Sequence, residues 1–115
     1  MPELPEVETI MTLVKGRVEN KKNKKTKVIN PKLRWPIQTR KVKHLENKTI
    51  RSVLRRGKYL IFKFKSQKEI LIIHLGMTGI ISFKKIEDYE KHKHDHLLIY
   101  FSDFVFIFND VRKFG

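Results

Sequence analysis

The chain has 115 residues, enough for one domain but too few for two independent hydrophobic cores. Lysine and arginine total 26 against 12 acidic residues, a formal net charge of +14, so a polyanion such as a nucleic acid is the favoured partner. Cysteine is absent, which excludes disulfides, thiolate metal ligands and a cysteine nucleophile within these residues. No stretch approaches the roughly 20 apolar residues of a membrane span, so we expect a cytoplasmic protein.

The N-terminal segment from Pro2 to Lys15 has the pattern of an amphipathic helix. Its apolar residues recur at spacings of three and four, at Leu4, Val7, Met11 and Val14. Pro5 suits a first helical turn, and Gly16 is a plausible end of the helix. The Lys/Asn-rich stretch 19–27 then predicts a solvated loop or a strand entry.

The second half of the chain predicts strands. In Tyr59–Lys65, alternate residues are apolar, as in a half-buried strand that follows a turn at Gly57. Ile70–Ile73 is a continuous apolar run, which favours a strand buried on both faces. Leu97–Phe101 and Phe104–Phe108 are separated by two residues and predict a hairpin.

A helix followed only by strands predicts the fold class. We expect a β-rich α+β domain, a two-sheet β-sandwich with the N-terminal amphipathic helix on its flank. Residues 1–115 then form a single domain.

The N-terminus is the most informative part of the sequence for chemistry. Proline after the initiator methionine permits removal of that methionine, which leaves a free secondary amine on Pro2. An α-amine titrates near pH 8, far below a lysine, and its attack on a sugar carbon gives a cationic iminium that acts as an electron sink. Glu3 and Glu6 could exchange protons beside it. Prolines and glutamates are equally what an ordinary first helical turn uses.

The opening Met-Pro-Glu-Leu-Pro-Glu-Val-Glu-Thr resembles the signature of the formamidopyrimidine-DNA glycosylase family. The resemblance recurs in order at 33–36, 55–60, 74–79 and 110–115, and it covers the first half of a family member. It implies a bifunctional DNA glycosylase and AP lyase of base excision repair. Such an enzyme removes oxidised purines (8-oxoguanine, formamidopyrimidines) from double-stranded DNA through a Schiff base on Pro2 and β/δ-elimination, with Glu3 and Glu6 as further catalytic residues.

Two internal segments receive roles from this resemblance. Lys58, in Arg-Arg-Gly-Lys-Tyr-Leu, would contact the phosphate of the lesion-bearing nucleotide and assist β-elimination. Without the resemblance, Lys58 would be interpreted as one more solvated lysine. In His-Leu-Gly-Met-Thr-Gly, Met77 would be an apolar wedge that offsets the cost of unstacking, and His74 would contact a phosphate. The alternative for Met77 is a core residue at a strand end.

Three alternating histidines occupy Lys-His-Lys-His-Asp-His at 91–96, a spacing that places three imidazoles on one face of a strand. A metal site is one interpretation. The resemblance instead favours His94 as a DNA contact, and we expect no metal and no cofactor in these residues.

The closing Asp-Val-Arg-Lys-Phe-Gly resembles a family loop that usually reads Asp-Pro-Arg-Arg-Phe-Gly. There Arg112 would pair with the base opposite the lesion and Phe114 would wedge beside it, with Lys113 as a DNA contact. Val111 in place of proline loosens the loop, and lysine at 113 gives up bidentate phosphate geometry.

The resemblance also implies what this chain would lack. The family's helical domain and its zinc finger are expected outside these 115 residues, so zinc belongs to the full-length family. We expect a monomer of bacterial type that binds damaged DNA weakly and excises bases poorly on its own. Two alternatives stay open: an endonuclease VIII-type glycosylase for oxidised pyrimidines, which Leu4 and the Met77 segment disfavour, and a non-enzymatic basic nucleic-acid-binding module.

Overall fold

A computed structural model describes residues 4–30, 32, 37–76 and 78–110 of the chain. The elements in chain order are α1 (Leu4–Val18), β1 (Lys25–Val28), α2 (Thr39–Lys43), β2 (Ile50–Arg56), β3 (Tyr59–Phe64), β4 (Ile70–His74), β5 (Gly79–Lys85), a 3₁₀ turn (Ile86–Asp88), β6 (Asp95–Tyr100) and β7 (Phe104–Asp110).

The strands form two antiparallel sheets. One has the order β1-β6-β7-β5 and the other the order β2-β3-β4. Their inner faces share one hydrophobic core, in which the ring of Phe62 meets the ring of Phe106 edge-on at 5.8 Å between centroids. The predicted two-sheet sandwich with an N-terminal helix is confirmed.

Helix α1 lies against β2 and buries one stripe of side chains. Val7, Val14 and Val18 are completely buried at spacings of seven and four residues, as the sequence pattern predicts. The end at Gly16 is wrong, because the helix continues to Val18. Glu19 stabilises this last turn: its carboxylate accepts hydrogen bonds from Lys15 Nζ at 2.6 Å and from the N–H of Val53 at 2.9 Å.

Strand β3 follows its predicted alternation, with Leu60, Phe62 and Phe64 buried. Strand β4 does not follow its prediction, because Ile70 and Ile72 remain 45% and 51% exposed. Within the described residues, the three-stranded sheet is covered on one face only, so every second residue of the apolar run faces outward.

The strands buried on both faces are β6 and β7, which form the predicted hairpin. Their outward-facing residues make a second apolar cluster on the far side of the four-stranded sheet. It consists of Leu98, Val105 and Ile107, with Ile29, Tyr89 and Tyr100 packed against it.

The short helix α2 packs near β1 through a buried polar network. The amide of Asn23 donates to Thr26 Oγ1 at 2.8 Å and to the carbonyl of Leu45 at 3.2 Å. The N–H of Thr26 donates to the carboxylate of Glu46 at 2.7 Å. In the part of the chain that the structure describes, no helix has the length and apolar character needed to cross a membrane.

Candidate nucleic-acid interface

The predicted site residues divide into two groups. Glu6, Lys58, His74 and His94 lie within the described residues. The others, Pro2, Glu3, Met77, Arg112, Lys113 and Phe114, lie outside them. The described elements that adjoin these six positions are α1, β4, β5 and β7.

Lys58 lies in a two-residue turn between β2 and β3. Gly57 occupies the first turn position with φ of +60°, a backbone conformation that glycine adopts without steric cost. The carbonyl of Lys58 accepts a hydrogen bond from the N–H of Leu75 at 3.0 Å. This bond fixes the turn beside the end of β4, where His74 lies.

His74 is half-buried and lies directly opposite Tyr59 on the neighbouring strand. The two rings stack, with centroids 4.6 Å apart and planes inclined by 28°. Lys58 and His74, predicted from separate motifs, are therefore brought to the same end of the three-stranded sheet.

The connection from β4 to β5 is a tight loop. The N–H of Gly79 donates to the carbonyl of Leu75 at 2.8 Å, and Gly76 has φ of +62°. A Cβ added at Gly79 would lie 2.3 Å from that same carbonyl oxygen, so no larger residue fits without a shift of the backbone. The tight loop explains the two glycines that flank position 77.

Asp110, the last residue of β7, joins this loop to the start of β6. Its carboxylate accepts a hydrogen bond from Thr78 Oγ1, and its N–H donates to the carbonyl of His94 at 3.1 Å. Gly79 lies opposite Asp110 in the sheet. Asp110, the last described residue before Arg112 and Phe114, thus lies beside both the β4–β5 loop and His94.

The interpretation of three histidines on one strand face is wrong. His92 and His94 precede β6, and only His96 lies in the strand. His96 is completely buried, with Nε2 2.8 Å from the carbonyl oxygen of Asp110 and Nδ1 3.1 Å from that of Asn30. Across residues 4–30, 32, 37–76 and 78–110, no group of three His, Asp or Glu side chains could hold a metal ion.

Asp95 is a site residue that sequence reasoning missed. Its buried carboxylate accepts hydrogen bonds from the hydroxyl of Tyr89 at 2.7 Å, from the N–H of His92 at 3.1 Å and from the amide of Asn109 at 2.9 Å. Burial opposes ionisation, but these bonds together lower the pKa of Asp95 below its usual value. The available signal was a single acid within an otherwise basic stretch.

Arg55 anchors the start of α1 to the Lys58 turn. Its guanidinium forms an ion pair with Glu8 and donates to the carbonyl of Gly57 at 3.1 Å. The exposed Glu6 lies two residues before Glu8 on this helix. The amino-terminal part of α1 is therefore tethered to the turn that carries Lys58.

Comparison with known sequences assigns the whole chain to one family. A model of the formamidopyrimidine-DNA glycosylase N-terminal domain matches residues 1–115. A formamidopyrimidine-DNA glycosylase of Wolbachia sp. subsp. Drosophila simulans (strain wRi) is 42% identical over 116 residues, and one of Paraburkholderia xenovorans (strain LB400) is 38% identical over 117. Each match covers 100% of this chain and 42% of the relative, so the chain spans about two fifths of their length.

Comparison with solved structures gives the same result. A complex between the Lactococcus lactis Fpg and DNA that contains an abasic site has a TM-score of 0.86 and 38% identity, over 97% of this chain and 41% of that one. MutM in complex with DNA that contains carbocyclic 8-oxo-G has a TM-score of 0.87 and 39% identity, over 98% and 42%. The chain therefore belongs to the formamidopyrimidine-DNA glycosylase family, and it matches the N-terminal domain of that family.

Proposed function

We propose that the chain is the nucleophile-bearing domain of a base excision repair DNA glycosylase and AP lyase that acts on oxidised purines in double-stranded DNA. One observation carries the proposal. The Lys58 turn, the end of β4 at His74, the β4–β5 loop and the end of β7 are linked by direct hydrogen bonds, and Arg55 tethers α1 to the same turn. Segments distant in sequence thus meet at one end of the sandwich.

The proposed chemistry begins at the amine of Pro2. The amine attacks C1′ of the deoxyribose, a C–N bond forms as the glycosidic bond breaks, and a proton accompanies the departing base. Opening of the sugar ring gives a cationic iminium that acidifies the neighbouring C2′ proton, so the 3′ phosphate and then the 5′ phosphate leave by elimination. Water finally hydrolyses the iminium. Glu3 and Glu6 exchange protons with the sugar, a role worth roughly 10² to 10⁴ in rate.

The remaining predicted residues hold the DNA in this proposal. Lys58 and His74 contact phosphates beside the lesion, and Met77 fills the space that the extruded base vacates. Arg112 pairs with the base opposite. Further DNA contacts come from Lys113 and Phe114 after β7 and from His94 before β6. The solved relatives, in complex with DNA that contains an abasic site or carbocyclic 8-oxo-G, support damaged DNA as the partner.

The length of the chain limits what it does alone. Relatives carry more than half of their length beyond the matched region, and we assign the family's zinc site and further DNA contacts to that part. The 115 residues alone, as an intracellular monomer, should bind DNA with Kd of about 10⁻⁴ to 10⁻⁶ M at physiological salt and should excise oxidised purines slowly. Lyase chemistry on an existing abasic site needs fewer contacts.

Borohydride trapping on an abasic duplex tests the proposal. Reduction converts the iminium into a stable protein–DNA adduct. The wild-type chain, with removal of Met1 verified by intact mass, should give the adduct. Pro2→Leu retains Met1 and displaces the terminal amine, so it should give at least about tenfold less adduct. Pro2→Ser still permits removal of Met1, keeps an amine in place and should retain part of the trapping.

The proposal fails if the wild-type chain with a free Pro2 terminus gives no adduct, or if Pro2→Leu traps as well as wild type. DNA affinity, measured in parallel, should be equal in all three proteins. Trapping on dihydrouracil duplexes in preference to 8-oxoguanine duplexes would assign the chain to the pyrimidine-acting type instead.

A further inference from the structure

Three polar side chains form a row across the outer face of the three-stranded sheet. Arg56 lies opposite Tyr59, and Tyr59 lies opposite His74, so all three project from the same face. The row occupies the end of the sheet next to the Lys58 turn. With strands about 4.8 Å apart it spans about 10 Å, enough to contact neighbouring phosphates of one DNA strand.

Apolar residues border the row on the same outer face of the sheet. The next residues on the same face are Leu54, Ile61 and Ile72, which are aligned across the three strands. Leu54 and Ile72 are 42% and 51% exposed. A ligand with regularly spaced anionic oxygens therefore fits the row itself and gains no hydrogen bonds from the apolar surface behind it.

The two adjacent arginines of β2 are used differently. Arg55 is held by Glu8 and by the carbonyl of Gly57. Arg56 is exposed, and within the described part of the chain its guanidinium forms no ion pair and no hydrogen bond. Its five donors are available to an external anion, for which the planar guanidinium suits bidentate binding of phosphate.

Tyr59 is exposed over 45% of its surface, yet its ring stacks on His74. This contact restricts the orientation of the imidazole. The phenol hydroxyl adds a donor between the guanidinium and the imidazole.

We infer that Arg56, Tyr59 and His74 form a binding track for the phosphodiester backbone of DNA, in which Tyr59 also positions His74 by stacking. The inference rests on the proposed function and extends it, since it adds Arg56 and Tyr59 to the contacts expected from the sequence. The track runs from the lesion side at Lys58 and His74 along one DNA strand.

Fluorescence anisotropy with a duplex that contains a tetrahydrofuran abasic analogue tests the track without chemistry. Arg56→Gln should weaken binding about three- to tenfold at 100 mM salt and reduce the slope of log Kd against log salt by about one. Arg51→Gln is the matched control, because it removes the same charge from an exposed residue near the other end of β2. It should change Kd by less than about twofold and leave the slope unchanged.

Equal changes in Kd for Arg56→Gln and Arg51→Gln would contradict the binding track. The loss of affinity would then follow from the lower net charge alone. If the wild-type chain traps abasic DNA while the two variants behave alike, the proposed function stands and only the track fails. If the wild-type chain does not bind the duplex, both fail.

A double-mutant cycle tests the role of Tyr59 as a positioning residue. Tyr59→Leu removes the ring and should weaken binding about as much as His74→Gln. The Kd of the double variant should exceed that of the weaker-binding single variant by no more than about twofold. Tyr59→Phe keeps the stacked ring and should lose no more than about twofold. Fold changes that simply multiply in the double variant, at equal thermal stability, would contradict positioning.

Discussion

At the scale of single residues, Asp95 joins three parts of the structure at the start of β6.

 It binds Tyr89 from the segment after the 3₁₀ turn, the backbone of His92 and the side chain of Asn109 on β7. Burial and the hydrogen bond to Asp95 raise the pKa of Tyr89 above its usual range, so its hydroxyl stays a donor. His94 and the end of β7 are held in place by this cluster.

Replacement of Asp95 by Asn should lower the free energy of unfolding by about 1–3 kcal/mol at pH 7, because the charged hydrogen bonds from Tyr89, His92 and Asn109 to this buried carboxylate are weakened. The pKa of Asp95 is depressed in the folded state. Its contribution to stability is therefore present above the unfolded pKa of about 3.9 and is lost as the pH falls through the lower folded value.

Urea unfolding of wild type and Asp95→Asn between pH 3 and pH 8 measures this effect. The difference between the two proteins should be constant from pH 6 to pH 8 and should shrink below about pH 4. A difference that grows on acidification would contradict the assigned direction of the pKa shift.

Sequence reasoning reached some of these residues and missed others for a physical reason. His74 lies at a strand end and Lys58 in a turn, and both features are predictable from the local sequence. The role of Asp95 depends on partners six and fourteen residues away, and Arg55 on a partner 47 residues away. Such pairings follow from sheet register and helix docking, which local patterns do not contain.

At the scale of elements, the β4–β5 loop is sterically constrained at Gly79. Gly79→Ala would place a Cβ 2.3 Å from the carbonyl oxygen of Leu75. We expect this substitution to lower the free energy of unfolding by at least about 1 kcal/mol and to weaken DNA binding, since the loop must move.

Gly16→Ala is the matched control for that substitution. A Cβ at Gly16 meets nothing within 4 Å, and the residue lies inside α1. Thermal unfolding should show an increase in stability of about 0.5–1 kcal/mol, with DNA affinity unchanged. Destabilisation by both substitutions to a similar degree would refute the special constraint at Gly79.

The elements themselves were predictable where a single periodicity dominates. The alternation in β3 and the stripe of α1 gave the correct structure and the correct buried face. The run in β4 did not, because an apolar run shows what a strand could bury and not what covers it. Gly16 misled for a related reason: the bonds of Glu19 extend the helix past a residue that commonly ends one.

At the scale of the whole molecule, charge is the dominant property. If the proposed function holds, a net charge of +14 on 115 residues makes phosphate neutralisation the main source of DNA affinity. The Kd for a duplex should rise at least about tenfold between 50 and 200 mM salt. Anisotropy titrations across this range measure the slope, and an affinity independent of salt would contradict electrostatic binding.

The most direct test of the central claim is to locate the adduct after borohydride trapping on an abasic duplex. Digestion of the trapped complex with nuclease and protease, followed by mass spectrometry, identifies the peptide that carries the deoxyribose remnant. The account predicts that the remnant lies on the N-terminal peptide, at the nitrogen of Pro2. A remnant found on Lys58 or distributed over other lysines, with the Pro2 peptide unmodified, would contradict it.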